Sequence, residues 1–313
     1  VVERIEITQN YDWLAARRQF IGASEVATVC GVAAYGSLAE LFAEKKGLRP
    51  PLIDNGVLRR GRWGESAVFQ ALADERPEWR VVRARVHVID RERRIACTPD
   101  GYAEAPDRDG FGLVQAKVVS RSIFRQKWLH DPDSTIDGPA TPPVHFRLQT
   151  ITERMLNADR CKWAVLAVLI NGEFDWTFRL FDVEYSQDIE DTICGDVLAF
   201  HRNYLDPGIM PPFEPQRDTA LIKQLFPTDD GSEVDLRGDN RALVAVDELT
   251  ETKAAIKRLE KNETALKAEL TGKLGAATFG RLADGRLLSW KLQNRKGHVV
   301  EPSSFRVLRV LEA

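Results

Sequence analysis

The spacing of apolar and polar residues divides the chain into short helices, a run of strands and a charged tail. Over residues 10–50 three helices are expected. Asp12 is placed to cap the first, which carries Trp13, Leu14 and Arg17. The second begins near Ser24 with Val26, Ala27 and Val29, and ends at Gly31. Ser37 starts the third, with Leu38, Leu41 and Phe42 on one face, before Gly47 and Pro50-Pro51 break the pattern. Residues 56–75 read as a longer helix carrying Glu65, Val68, Phe69 and Leu72. Three strand-like segments follow, Val81 to Ile89, Ile95 to Ala103 and Leu113 to Val119.

Ser120 can cap a short helix with Ile123, Phe124 and Trp128, and the four prolines within 131–143 mark a loop. Val144 to Leu156 is helical. Trp163 to Ile170 is a continuous apolar strand, Asn171-Gly172 signals a hairpin, Phe174 to Phe181 returns as a strand, and Asp188 to Tyr204 is a helix. Helix, strands, helix and strand in that order predict an α/β fold, a mixed central β-sheet flanked by helices. Pro211, Pro212 and Pro215 resemble a linker, which gives two expected domains, 1–212 and 213–313. The second holds a long amphipathic helix, Leu243 to Leu274, and a small β-hairpin turning at Asp284-Gly285. Leu249, Ile256 and Leu270 share a seven-residue phase that Glu263 interrupts, so the helix suits packing on a neighbour at least as well as a coiled coil.

A hydrophobic content of 43% with 29% charged residues is that of an ordinary globular protein. The longest apolar run is too short to span a bilayer, and Val1 to Asn10 lacks the apolar core of a signal peptide. Four scattered cysteines, with no CxxC pair, argue against a zinc ribbon or disulfide framework and for a reducing cytoplasm. The five histidines form no HExxH motif. A net charge of −3 argues against a protein that coats DNA nonspecifically but leaves room for a local basic groove.

Chemistry concentrates in Pro99-Asp100-Gly101 and, one strand later, Gln115-Ala116-Lys117. Period-two geometry puts Gln115 and Lys117 on one face. Asp100 suits a hard cation such as Mg²⁺, and Lys117 suits a water or the charge that develops on a phosphate. Asp-Gly before a strand is also a common turn, and lysine a common edge residue. The clusters Arg59-Arg60-Arg62 and Arg91-Arg93-Arg94 suit solvated faces, or DNA backbone contacts if they line one groove.

Five ordered blocks carry a resemblance: Trp13 to Arg17 with Ile21 to Val26, Gly61 to Glu65, Thr98 to Gly101, Val114 to Lys117, and the Gln149 helix with the strand Ala164 to Leu169. Over about residues 10–205 the chain resembles the lambda-type (YqaJ-like) phage exonuclease family of the PD-(D/E)XK, restriction-endonuclease-like superfamily. The tail is similar, less specifically, to that of longer phage-type endonucleases.

That resemblance implies a Mg²⁺-dependent deoxyribonuclease, with Mn²⁺ as a substitute, acting on double-stranded DNA ends, 5′ to 3′, in phage-type recombination. By the same resemblance Asp100 and Gln115 are metal ligands, with the backbone carbonyl of Ala116 beside them. Lys117 is the catalytic lysine, and Glu65 completes the site directly or through water. Arg17, Ser24, Thr98 and Gln149 match the pocket for a 5′-phosphate, and Leu58 matches a wedge against the terminal base pair. Ser24 equally suits a helix N-cap and Gln149 a helix surface. A ring-shaped trimer and a single-strand annealing protein as partner are further implications, in the cytoplasm of a bacterium or phage-infected host. The departure is Gln115, where the family has Glu. It fits an active natural variant, a substitution introduced to trap a complex, or a DNA-end-binding relative without catalysis. An endonuclease is the other alternative.

Overall fold

The computed structural model describes residues 2–8, 13–49 and 56–294, with Gly297, Arg306 and Leu308; for residues 13, 14, 57 and 58 it describes the backbone alone. The chain forms two compact units, Val1–Leu225 and Phe226–Ala313.

The first unit starts with strand β1 (Val2–Glu6), which no apolar–polar alternation in the sequence announces, and helix α1 (Trp13–Gln19). Strand β2 (Ile21–Gly22), a single 3₁₀ turn (Ala23–Glu25), and helices α2 (Val26–Val29), α3 (Leu38–Lys45) and α4 (Gly56–Glu75) follow. The cap expected at Asp12 lies outside the described residues. Ser37 does cap α3, accepting from Glu40 N at 3.0 Å.

Two of the expected strands each divide in two. Val81 to Ile89 becomes β3 (Arg80–Arg83) and β4 (Val86–Asp90), and Ile95 to Ala103 becomes β5 (Ile95–Cys97) and β6 (Gly101–Glu104). After β7 (Phe111–Ser120) come α5 (Arg121–Lys127), α6 (Val144–Leu156), β8 (Cys161–Asn171), β9 (Trp176–Asp182) and α7 (Gln187–Phe200). Among the described residues of this unit, one sheet has the order β1-β4-β5-β2 and the other β3-β6-β7-β8-β9. The chain therefore crosses from sheet to sheet at Ala84-Arg85 and at Thr98-Pro99-Asp100. Proline has no N–H to continue a ladder, and the two crossings are tied by Ala84 N donating to Asp100 O at 3.0 Å.

The larger sheet is mixed: β7 and β8 run parallel, and the remaining pairs are antiparallel. Both faces of β8 are buried, which explains its unbroken apolar run. Val165, Ala167 and Leu169 pack with Val68 and Leu72 of α4. Leu166, Val168 and Ile170 pack with Phe124, Trp128 and Ile151 from the other side. The architecture is the expected one, a mixed sheet flanked by helices. Gly64 brings α4 close to β7, since a Cβ there would meet Val118 Cγ2 at 2.5 Å.

The first unit continues past residue 212, where the sequence suggested a boundary. Helix α8 (Thr219–Leu225) places Leu221 against Ala39 and Ala43 of α3. Buried Asp218 accepts from Ser37 Oγ at 2.5 Å. The proline-rich stretch is thus followed by a segment that packs back on the first unit.

In the second unit helix α9 (Asn240–Leu274) is capped by Asp239, which accepts from Arg241 N at 2.9 Å. Leu243, Ile256, Leu259 and Leu266 on it are exposed. Strands β10 (Phe279–Arg281) and β11 (Leu287–Ser289) pair as the expected hairpin. Among the described residues no helix is long and apolar enough to cross a membrane.

Candidate functional site

The crossing at Thr98-Pro99-Asp100 delivers Asp100 to β7 just past the last rung of β6, which is Gly101↔Val114. The β7 groups beyond that rung are available to Asp100. Ala116 N donates to Asp100 Oδ2 at 2.8 Å, and Gln115 Nε2 donates to the same oxygen at 2.5 Å. In an extended strand the N–H and C=O of one residue point to the same side, so the Ala116 carbonyl shares this edge. Close approach here depends on Gly101, whose Cβ would meet Phe69 Cε1 at 2.6 Å and Val82 O at 2.8 Å.

Alternation along β7 sends Val114, Ala116 and Val118 toward α4. It leaves Gln115 and Lys117 on the α6 side, where Lys117 Nζ stands 5.4 Å from the centre of the Phe146 ring. Among the described residues Lys117 has no carboxylate within ion-pair distance. Burial raises the pKa of Asp100, and Lys117, the Ala116 N–H and Arg83 pull against that shift while Glu65 adds to it. Glu65, on α4, is held by Arg83 of β3, which also donates to Ser66 Oγ at 2.9 Å. The structure therefore gathers Glu65, Asp100, Gln115 and Lys117 into one electrostatic neighbourhood.

A second group lies beside it. Arg17, Ser24, Thr98 and Gln149 line one cavity of about 140 Å³ together with His87, Cys97 and Glu153. Arg17 is aimed by Glu25, which accepts from its Nε at 3.0 Å and its Nη2 at 2.9 Å. Lys45 Nζ reaches the other Glu25 oxygen at 2.5 Å, and Gly22 N donates to it at 2.8 Å. Ser24 sits exposed inside the 3₁₀ turn, not at a helix cap, because the Glu25 carboxylate takes the capping place over Gly22. The Leu58 side chain lies outside the described residues. Arg59, Arg60 and Arg62 are exposed on α4. Arg91, Arg93 and Arg94 are engaged by Glu3, Asp90 and Asp206.

Glu153 is the residue that sequence reasoning missed. It follows Gln149 by one helical turn, and Gln149 Nε2 donates to its Oε1 at 2.9 Å. It is 1% exposed, and its pKa is pushed up to about 8 by burial and by the charge of Asp100, against the Gln149 bond and Lys117. An acid inside the run Ile151 to Leu156 of a helix facing the sheet was the available signal.

Oxygen donors dominate here. Gln115 Oε1 and Glu153 Oε2 are both buried without a hydrogen-bond partner. With the Asp100 carboxylate and the Ala116 carbonyl they make a set that a hard divalent cation fits. Among the described residues no three His, Cys, Asp or Glu side chains converge as a metal cluster; the set here counts an amide oxygen and a backbone carbonyl among its donors.

Residues 12–155 match the YqaJ-like viral recombinase domain. Over those residues, all within the first unit, the chain is similar to that domain. No curated protein is significantly similar to the chain. Among solved structures, the alkaline exonuclease LHK-Exo of Laribacter hongkongensis is similar at 17% identity and a TM-score of 0.43, over 63% of this chain and 96% of that one. The same enzyme in complex with dAMP gives 18% identity and 0.43, over 61% and 93%. A candidate exonuclease of Eubacterium rectale gives 11% identity and 0.45, over 75% and 98%.

Proposed function

We propose that the first unit is a metal-dependent PD-(D/E)XK-type nuclease that degrades one strand of duplex DNA from its end, 5′ to 3′, in phage-type recombination. The observation that carries this reading is the adjacency, within a YqaJ-like domain, of Asp100, Gln115 and Lys117 to the cavity lined by Arg17, Ser24, Thr98 and Gln149.

In this reading Asp100, Gln115 Oε1 and the Ala116 carbonyl hold Mg²⁺ or Mn²⁺, with Glu65 completing the site directly or through water. When bound, such a cation stabilises charge on the phosphoryl oxygens and helps water ionise at neutral pH. Lys117 orients the attacking water and offsets negative charge on the phosphate as the 3′-oxygen leaves. Arg17 presents its guanidinium to the 5′-phosphate, with hydroxyl and amide donors from Ser24, Thr98 and Gln149. End-directed action follows, because a terminal phosphate fills the cavity while the next phosphodiester reaches Asp100. Leu58 as a wedge, a trimer encircling DNA, a single-strand annealing partner and action in the bacterial or phage-infected cytoplasm belong to the same reading.

The test is digestion of linear duplex, with and without a 5′-phosphate, beside a closed circle. Loss of the linear forms, preference for the phosphorylated one, survival of the circle and inactivity of Asp100→Ala are expected. Cutting of the circle would instead make the protein an endonuclease. A second reading, DNA-end binding without catalysis, is favoured by the Gln115–Asp100 hydrogen bond. It predicts retention of phosphorylated ends with no cleavage even after Gln115→Glu.

A further inference from the structure

We propose that Glu153 is the second carboxylate of the cation site, supplying from helix α6 the negative charge that Gln115 does not bring from strand β7. This rests on the metal-dependent reading above and assigns a ligand that the resemblance does not include.

The first argument is direction. Residues 146, 149 and 153 fall on one face of α6. Phe146 meets Lys117 on that face, and Gln149 bonds Glu153. Gln115 and Lys117 point to the same side of the sheet, and Glu153 feels the charges of both Asp100 and Lys117. Glu153 therefore approaches the site from the helix while Gln115 approaches from the strand.

The second argument is an unmet requirement. A carboxylate this deeply buried is costly unless it is paired or coordinated. Gln149 satisfies Oε1, but Oε2 is buried with no partner, and so is Gln115 Oε1. The amide of Gln115 cannot be turned to relieve this. Its Nε2 donates to an Asp100 oxygen that also accepts from Ala116 N, so the reversed amide would set oxygen against oxygen. Two buried acceptors with vacant lone pairs beside a carboxylate constitute an oxygen site for a divalent cation.

The third argument concerns the neighbouring cavity. Glu153 lines the same space as Arg17, Ser24 and Thr98. A bare carboxylate there would repel the phosphate those donors suit. A cation shared between Glu153 and Asp100 removes that repulsion and attracts phosphate oxygens instead.

The experiment titrates Mn²⁺ into the full chain without DNA, by calorimetry and by loss of the free-ion paramagnetic resonance signal. The forms compared are the protein itself, Glu153→Gln, Asp100→Asn and the exchange variant Gln115→Glu/Glu153→Gln. Thermal melting in EDTA checks folding, and Glu153→Gln should melt no lower than the parent because it replaces a buried acid, whose pKa burial raises, by a neutral amide of nearly the same shape. Weakening of Mn²⁺ binding by about tenfold or more in Glu153→Gln, with recovery in the exchange variant, is the expected result. Parental affinity in Glu153→Gln, while Asp100→Asn has lost it, overturns the assignment and leaves the metal-dependent reading in place. No Mn²⁺ binding by any form overturns both.

Discussion

Gln115 donates its amide hydrogen to Asp100 Oδ2 at 2.5 Å, and this one contact fixes where its own oxygen points. The strand position that faces the acid is occupied by a donor, so the metal-free site holds together without a cation. Substituting Gln115→Glu replaces a hydrogen bond by two carboxylates in contact, beside an Asp100 whose pKa burial already raises. The variant should lose about 1–3 kcal/mol of stability in EDTA and regain it on adding Mg²⁺, while Mg²⁺-dependent cleavage speeds up. Melting curves with and without Mg²⁺ read the first effect and single-turnover digestion reads the second. An unchanged melting temperature in EDTA would contradict the geometry.

Arg17 owes its aim to a carboxylate eight residues away. Glu25 holds Arg17 with one oxygen and Lys45 with the other, and the Lys45 side chain is nearly inaccessible to solvent. Burial lowers the Lys45 pKa, and Glu25 is the chief influence opposing that shift. The two ends of this network should fail differently. Glu25→Gln leaves a buried ammonium without its counter-charge and should cost about 3–5 kcal/mol, measured by urea unfolding. Arg17→Lys keeps the charge but loses the planar fork. It should leave the fold intact and raise KM for 5′-phosphorylated ends by about tenfold, an energy of about 1.4 kcal/mol, with little change for unphosphorylated ends.

Local periodicity made some of this visible in the sequence. Helix α6 runs from Val144 to Leu156 as its pattern predicts, and Ser120 caps α5, accepting from Ile123 N at 3.4 Å. The blocks around Asp100 and Lys117 stood out through the family resemblance, because alternation alone puts Gln115 and Lys117 on one face but leaves Asp100 equally suited to an ordinary turn. The division of the β3–β4 and β5–β6 segments between two sheets was not visible, since a strand's pattern does not record which neighbour it pairs with. Phe174 was expected in a strand and instead sits in the loop before β9, 92% exposed, because Asn171 pairs directly with Trp176. Glu153 was missed for a related reason. A glutamate in an amphipathic helix reads as solvated until the helix is laid on the sheet.

The boundary between the units is open to direct test. A chain ending at Leu225 keeps Leu221 in its cluster with Ala39 and Ala43, and keeps the Ser37–Asp218 bond. A chain ending at Pro212 exposes those alanines and leaves the buried Ser37 hydroxyl without Asp218. The shorter chain should be less stable by about 2–4 kcal/mol, the sum of one buried leucine and one lost buried hydrogen bond. The longer one should unfold like the first unit of the full protein. Cleavage in a single turnover should survive removal of residues 226–313, and any fall in processivity would then belong to the second unit and not to damage of the first.

His201 sets an acid limit on the first unit. It lies at the turn after α7, 2% exposed, and its pKa is lowered to about 4 by burial, with Arg94 adding to the shift, Asp206 opposing it and Lys45 adding again. An unfolded chain protonates this ring near pH 6.5, and the folded one does so only near pH 4. Between those values the unfolded state binds the extra proton, so stability falls as pH drops through the window and is fully present above it. A shift of that size corresponds to at most about 3 kcal/mol. His201→Gln removes the titrating group. The stability difference between parent and variant should therefore depend on pH between about 4 and 6.5 and be flat above pH 7. Chemical unfolding at a series of pH values measures it, and parallel curves across the whole range would show that His201 is not the group responsible.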